Sequence, residues 1–218
     1  MARPDASSPL PVVKLRPIEG WVPLDLRELW AYRELLYFLA WRDLKVRYRQ
    51  TVLGALWALI QPVFTMTVFS VFFGRVAHMP SDGAPYPLFS LAALVPWTFF
   101  ANTLTLAANT VIIDANMIRK VYFPRLLMPM ASIATGLIDL ALALVLLFGL
   151  VAYYGWPLSA NMVLLPLLVL LAMLTSLGAS FWLAAFNVQF RDVRYAIPFL
   201  VQAWLFATPI AYPSSLIA

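Results

Sequence analysis

Residues 126–154 read LLMPMASIATGLIDLALALVLLFGLVAYY and contain a single charged side chain, Asp139. A helix of this length would measure about 43 Å at 1.5 Å per residue, which is more than the roughly 30 Å of a bilayer's hydrocarbon core. The chain is 63% hydrophobic and only 11% charged. Both features predict an all-α polytopic membrane protein. Within a transmembrane domain at 52–218, five spans are expected, at about 52–74, 86–113, 126–154, 161–189 and 195–213.

The basic residues predict how these spans are oriented. Of fifteen Lys and Arg, nine precede the first span, one follows it, three lie in 114–125 and two in 190–195. Because basic loops remain on the cytoplasmic side, we expect a cytoplasmic N-terminus and outer loops at 75–85 and 155–160. The net charge of +5 is explained by these inner loops and by contact with anionic lipids, so nucleic acid is not expected as a partner.

Two segments precede the first span: a polar tail at 1–24 and an amphipathic helix at 25–49. Apolar and aromatic residues recur on one face of this helix at steps of three, four or seven, and they include Trp30, Tyr37, Trp41 and Tyr48. We expect this face to lie at the inner membrane surface, at the depth of the lipid headgroups. The alternative is a helix packed on the protein's own cytoplasmic surface.

The cytoplasmic loop DANMIRKVYFPR, residues 114–125, has helical spacing. Met117, Ile118, Val121 and Tyr122 would share one face, and Pro124 would end the helix at Phe123. Such a short projecting helix could fill a groove in a partner protein. Spacing alone does not distinguish this from an ordinary basic loop, and the third cytoplasmic segment, FRDVRY at 190–195, could simply mark the membrane edge.

Three stretches resemble a known family: YRQTVLGALWALIQP (48–62), IRKVYFPRLLMP (118–129) and NVQFRDVRYAIP (187–198). They are similar to membrane subunits of type-2 ABC exporters, particularly the branch that exports lipid-linked polysaccharide such as O-antigen or teichoic acid. The resemblance implies a six-span permease of the bacterial cytoplasmic (inner) membrane that works as a homodimer with two ATPase subunits. Because only five spans are visible, we expect that the chain stops before the sixth.

The resemblance also implies roles for particular residues. The principal coupling helix to the ATPase would comprise Asn116, Met117, Ile118, Arg119, Lys120, Val121, Tyr122 and Phe123. A second cytoplasmic contact would comprise Phe190, Arg191, Asp192 and Arg194. Side chains that could line the translocation path, offering flat faces to sugar rings, are Phe64, Phe69, Phe72, Phe73, Trp204, Phe206 and Tyr212.

The sequence contains no G-x-x-x-x-G-K-[ST] phosphate-binding loop. We therefore expect a transport subunit and not an enzyme, with no cofactor or metal in this chain and with ATP and Mg²⁺ on the partner ATPase. Asp139 is the one ionisable side chain expected inside the spans, where it could carry protons or serve a structural role facing a neighbouring helix or a wet cavity.

Other functions stay open at this point. The same architecture could export a small lipophilic compound or drug. An ion-coupled secondary carrier is a second alternative, although no internal repeat is evident. An integral-membrane glycan enzyme is a third, but His78, Asp82 and Asp139 are too scattered to nominate a catalytic site.

Overall fold

The structure is a computed structural model that describes residues 26–49, 54–157, 159–210 and 212–213. Within these ranges the regular structure is helical throughout. The helices are α1 (Leu26–Ala31), α2 (Arg33–Arg49), α3 (Trp57–Phe69), α4 (Tyr86–Ile113), α5 (Ala115–Lys120), α6 (Leu127–Tyr154), α7 (Leu165–Gln189) and α8 (Val193–Ala207). Short 3-10 turns precede α3 and α7, and a π-helical segment, Ser70–Val76, continues α3. The prediction of an all-α polytopic protein is confirmed.

Four helical stretches within the described ranges are long and apolar enough to cross a membrane: Trp57–Val76, Tyr86–Ile113, Leu127–Tyr154 and Ala160–Gln189. The fifth predicted span, 195–213, is shorter than expected, because α8 has 15 residues and ends at Ala207. At 1.5 Å per residue α8 is about 22 Å long, less than the hydrocarbon core. Thr208 has an extended backbone, the conformation favoured before a proline, and Pro209 follows it.

The centre of the bundle is α4, which packs against both α6 and α7. Leu91, Val95 and Phe99 of α4 form the main apolar core with residues of α6. The two helices approach closely at Gly136 of α6, where an added Cβ would overlap Thr103 Cγ2 and lie 3.4 Å from Phe99 Cε2. Glycine is required here because the backbone of α6 lies directly against a side chain of α4.

A stripe of small residues brings α7 against α4. Ser176, Ser180 and Ala184 repeat every four residues and are buried, so the close contact that their spacing indicates lies within one subunit. At the end of this stripe Asn187 is also buried, and its side-chain amide donates hydrogen bonds to the Ala108 carbonyl and to Asn109 Oδ1, both at 2.9 Å.

Candidate functional site

The amphipathic segment before the first span has two different faces. Its polypeptide is helical as predicted but divided at Tyr32 into α1 and α2, and Asp25 lies outside the described residues. Leu39 is buried in a cluster with Phe123 and Leu127, so one face packs on the protein itself. The segment therefore has one face that packs on the protein, as the alternative predicted, and another face that is free to meet lipid.

The outward face carries the predicted aromatic residues. Trp30, Tyr37 and Trp41 are all exposed, Tyr37 and Trp41 stack with ring centroids 6.4 Å apart, and Lys45 Nζ lies 5.4 Å from the Trp41 ring. Aromatic rings beside basic groups suit a membrane surface with anionic headgroups. Tyr48, the last member of the predicted stripe, points instead towards α6.

The loop at 114–125 is fastened to α2 by an ion pair. Arg42 Nη2 lies 2.8 Å from Asp114 Oδ2, at the junction of α4 and α5, and 2.8 Å from Asp43 Oδ1. Burial lowers the pKa of Arg42, but hydrogen bonds and charge attraction from Asp114 and Asp43 outweigh it, so the net pKa is raised. The guanidinium therefore stays charged at any physiological pH, and the connection persists.

The predicted coupling helix, Asn116–Phe123, is wrong in its extent. The helix in this loop is α5, Ala115–Lys120, and Val121 already has extended backbone angles of φ −131° and ψ 132°. Phe123 is 6% exposed and belongs to the cluster with Leu39, so its ring packs inside this subunit, and its predicted contact with an ATPase stays a prediction. A β-branched valine followed by two aromatic residues and Pro124 favours extended backbone over another helical turn.

Some of the remaining loop residues pack on the protein, and the others are exposed. Met117 and Ile118 pack against the cluster around Leu39, whereas Val121 and Tyr122 are exposed by 55% and 67%. The surface free to meet a partner is called here the coupling surface. It combines exposed polar or basic residues with exposed apolar and aromatic ones: Asn116, Arg119, Lys120, Val121 and Tyr122.

The second predicted cytoplasmic contact is a turn between α7 and α8. Phe190, Arg191, Asp192 and Arg194 are all exposed, and the Arg194 guanidinium carbon lies 5.9 Å from the Tyr195 ring centroid. The sequence correctly identified this segment as surface, and its role in contacting an ATPase stays a prediction.

The predicted channel-lining residues separate into two groups. Phe69 is buried with Leu94 and Ile210 in this subunit, and its place on a translocation path stays a prediction. Phe73 and Tyr212 pack on the same cluster and are half-buried. The residues with exposed rings are Phe64, Phe72, Trp204 and Phe206.

Asp139 lies in a polar cluster that joins α2 to α6. Arg47 Nη1 forms an ion pair with Asp139 Oδ2, and the Tyr48 hydroxyl donates a hydrogen bond to Asp139 Oδ1. Burial and the bond to this carboxylate raise the pKa of Tyr48 to about 12, so the phenol keeps the proton that it donates. The sequence identified the acid but not its partners. The available signal was that an intramembrane carboxylate needs a nearby base or donor.

This cluster forms part of a cleft of about 430 Å³, called here the inner cleft. Its walls come from the end of α2 and from α3, α4 and α6. The polar side chains that line it are Arg47, Tyr48, Gln61, Thr65, Thr98, Asn102, Thr103, Thr105 and Asp139. Apolar lining is supplied by residues that include Trp57, Val95, Phe99, Leu106 and Leu140. The expectation that Asp139 faces either a neighbouring helix or a cavity is met in both respects.

Among the described residues no group of three or more His, Cys, Asp or Glu side chains is placed to hold a metal ion.

One protein family and several known proteins are similar to this chain. The family described as ABC-2 type transporter matches residues 34–218. The O-antigen export system permease protein RfbA of Myxococcus xanthus is 36% identical over 88% of this chain and 73% of its own length. The protein of the same name from Klebsiella pneumoniae is 26% identical over 84% of this chain and 71% of its own length. The polysialic acid transport protein KpsM of Escherichia coli is 23% identical over 79% of this chain and 67% of its own length.

The family match covers the apolar helices, the loop of the coupling surface and α2 from Glu34 onward. The chain belongs to the ABC-2 type transporter family.

Proposed function

We propose that this chain is the membrane-spanning permease subunit of an ATP-driven ABC exporter that moves a lipid-linked polysaccharide across the cytoplasmic membrane. The observation that carries the proposal is the 36% identity to an O-antigen export permease over 88% of the chain. The two other relatives are named for O-antigen export and polysialic acid transport, so polysaccharide is the cargo class that the comparisons favour.

The proposed assembly has two copies of this chain and two copies of a separate ATPase subunit. ATP and Mg²⁺ bind to the ATPase, and this chain carries no cofactor of its own. The assembly lies in a bacterial inner membrane, with the N-terminus of this chain in the cytoplasm. The basic loops support that orientation, since Arg119 and Lys120 lie in one and Arg191 and Arg194 in another.

The proposed contact with the ATPase is the coupling surface. Tyr122 and Val121 offer exposed apolar area beside two cations, and Arg42 with Asp114 holds the preceding residues in place. A groove that receives Tyr122 would exclude water from the ring. An acidic side chain in the same position would then be desolvated without a partner, which is costly.

The test compares Tyr122→Asp with Tyr122→Phe in proteoliposomes that contain the chain and its ATPase subunit. We expect Tyr122→Asp to abolish ATP-dependent export and to weaken ATPase binding, while Tyr122→Phe retains both because the ring remains. Val121→Asp is a second acidic variant on the same surface. Wild-type export in both acidic variants would contradict this role for the coupling surface.

The energy source is tested in the same proteoliposomes with a lipid-linked oligosaccharide as cargo. Export should require ATP and should continue after an uncoupler has collapsed the proton gradient. Gradient-driven export without ATP would refute the exporter assignment and favour an ion-coupled carrier.

A further inference from the structure

The inner cleft has the size of a ligand site. Its volume of about 430 Å³ falls within the range of roughly 300–1,000 Å³ that is usual for small-molecule pockets. It lies between α3, α4 and α6, and Arg47 and Tyr48 from the end of α2 contribute to its wall. Because α2 precedes the first span, the cleft reaches the end of the bundle where α3 begins.

The hydroxyl protons of the threonines in this cleft are engaged in hydrogen bonds within their own helices. Thr65 donates to the Gln61 carbonyl at 3.0 Å, and Thr105 donates to the Ala101 carbonyl at 2.8 Å, each within its own helix. Thr98 and Thr103 donate in the same way within α4. A hydroxyl has one proton and two lone pairs, so a threonine bonded in this manner can only accept a further hydrogen bond.

Asp139 adds more acceptor capacity without adding net charge. Its two oxygens accept from Arg47 and Tyr48, and an ionised carboxylate has about four lone-pair positions, so further donors can be received. The positive charge of Arg47 balances the carboxylate. Among the described lining residues these two are the charged ones, and the wall is therefore neutral overall and rich in acceptors.

The remaining polar wall is supplied by Gln61 and Asn102, whose amides both donate and accept. The indole of Trp57, which is 51% exposed, and the buried ring of Phe99 provide apolar surface. The lining supplied by the described residues therefore combines many acceptors, a few donors and aromatic area.

The donors, acceptors and aromatic rings of this lining suit some classes of ligand better than others. A phosphate group only accepts hydrogen bonds, so it would place its oxygens against the threonine oxygens and the Asp139 carboxylate. A hydrocarbon chain would offer no donor to the spare lone pairs of these oxygens and no partner to the amides of Gln61 and Asn102, so it would gain none of these hydrogen bonds. A sugar unit brings several hydroxyl donors and no charge, and it also has apolar C–H faces for the aromatic rings.

We propose that the inner cleft binds the hydroxyl groups of an uncharged saccharide unit, the sugar portion of a glycolipid next to its lipid anchor. The inference rests on the proposed function, since it assigns the cleft as a subsite for the cargo of that exporter. In this site Thr65, Thr105 and Asp139 accept hydrogen bonds from sugar hydroxyls, and Asn102 can donate one in return.

The experiment uses the full chain with its ATPase subunit in lipid nanodiscs and three photoreactive probes with the same alkyl chain. One probe carries a glucoside headgroup, one a phosphate and one an ammonium. Labelled peptides are identified by mass spectrometry, and apparent affinities are obtained from the concentration dependence of labelling. We expect saturable labelling by the glucoside on peptides that contain cleft residues of α3, α4 or α6.

Matched valine substitutions test the acceptors. Thr65→Val and Thr105→Val remove one lining oxygen each while preserving shape, and each should weaken glucoside labelling by about fivefold, the effect of one net hydrogen bond. Thr67→Val on α3 and Thr175→Val on α7 are the controls. Both control threonines donate to their own helix in the same manner, and neither lines the cleft, so labelling should not change.

Stronger saturable labelling of the cleft by the phosphate or ammonium probe would overturn the ligand class. Equal losses in the lining and control variants would overturn the site, and so would glucoside labelling that avoids the cleft. Polysaccharide export is measured in parallel with the same complex. Export without glucoside binding in the cleft would refute this inference alone, whereas binding without ATP-dependent export would refute the proposed function.

Discussion

The contact between Gly136 and Thr103 provides a sharp test of how α6 packs on α4. In a Gly136→Ala variant the new Cβ would overlap Thr103 Cγ2, while Phe99 Cε2 at 3.4 Å restricts movement to the side. Thr103 cannot turn away easily, because it is buried, β-branched and hydrogen-bonded to the Phe99 carbonyl at 2.6 Å. We expect a loss of about 2 kcal/mol in the free energy of unfolding, within the usual range for overpacking.

The assay is unfolding of the purified chain by SDS titration in mixed micelles, followed by circular dichroism. Adding Thr103→Ser removes the obstructing methyl and keeps the hydroxyl, so the double variant should recover at least half of the loss. Gly149→Ala in the same helix is the control, because nothing lies within 4 Å of its added Cβ. It should be neutral or stabilising by up to about 1 kcal/mol. Equal stability of Gly136→Ala and Gly149→Ala would refute the close contact.

Three further outcomes are expected. A periplasmic reporter should be active when fused at Gly83 and inactive at Met117, and activity at Met117 would reverse the proposed orientation. Asp139→Asn should cost about 2 kcal/mol in the same SDS assay, because Arg47 is left without its counter-ion, and combining it with Arg47→Gln should cost less than the two single losses added together. Additive losses would show that the ion pair does not couple α2 to α6. Phe123→Ala should lower stability by about 3 kcal/mol, as expected for truncating a buried aromatic residue, and unaltered unfolding would place the ring outside the core.

Local sequence patterns were most informative where the membrane determines structure. Charge-free stretches longer than a bilayer can hardly be anything but spans, and α4 begins and ends at Tyr86 and Ile113, the residues that the apolar run indicated. The small-residue stripe around Ser176 and Ser180 likewise required a closely packed neighbour, since small side chains leave room for another backbone.

Those local patterns could not predict which residues contact each other between distant helices. Arg47 and Asp139 are 92 positions apart, and no local spacing relates the end of α2 to the middle of the distant helix α6. Phe69 illustrates the same limit, because an aromatic residue on a span has the same periodicity whether it faces a path or packs on Leu94. The inner cleft was missed for this reason: its lining is drawn from four helices.

The loop at 114–125 also shows a limit of helical periodicity. Spacing placed Val121 and Tyr122 on one face with Met117, but that inference assumed a helix that continues to Phe123. Local backbone preference before Pro124 ended α5 earlier, and the two groups of apolar residues point in different directions.

The cluster that joins Leu39, Met117, Phe123 and Leu127 has a mechanical consequence. Packed interiors are hardly compressible, so they transmit displacement instead of absorbing it. A push on the exposed end of α5 would therefore move α2 and the start of α6 along with it, as one rigid body. The Arg42–Asp114 bridge adds a second fastening on the same body. A displacement of α5 would therefore reach α2 and the interior of the bundle at the same moment, with little slack between them.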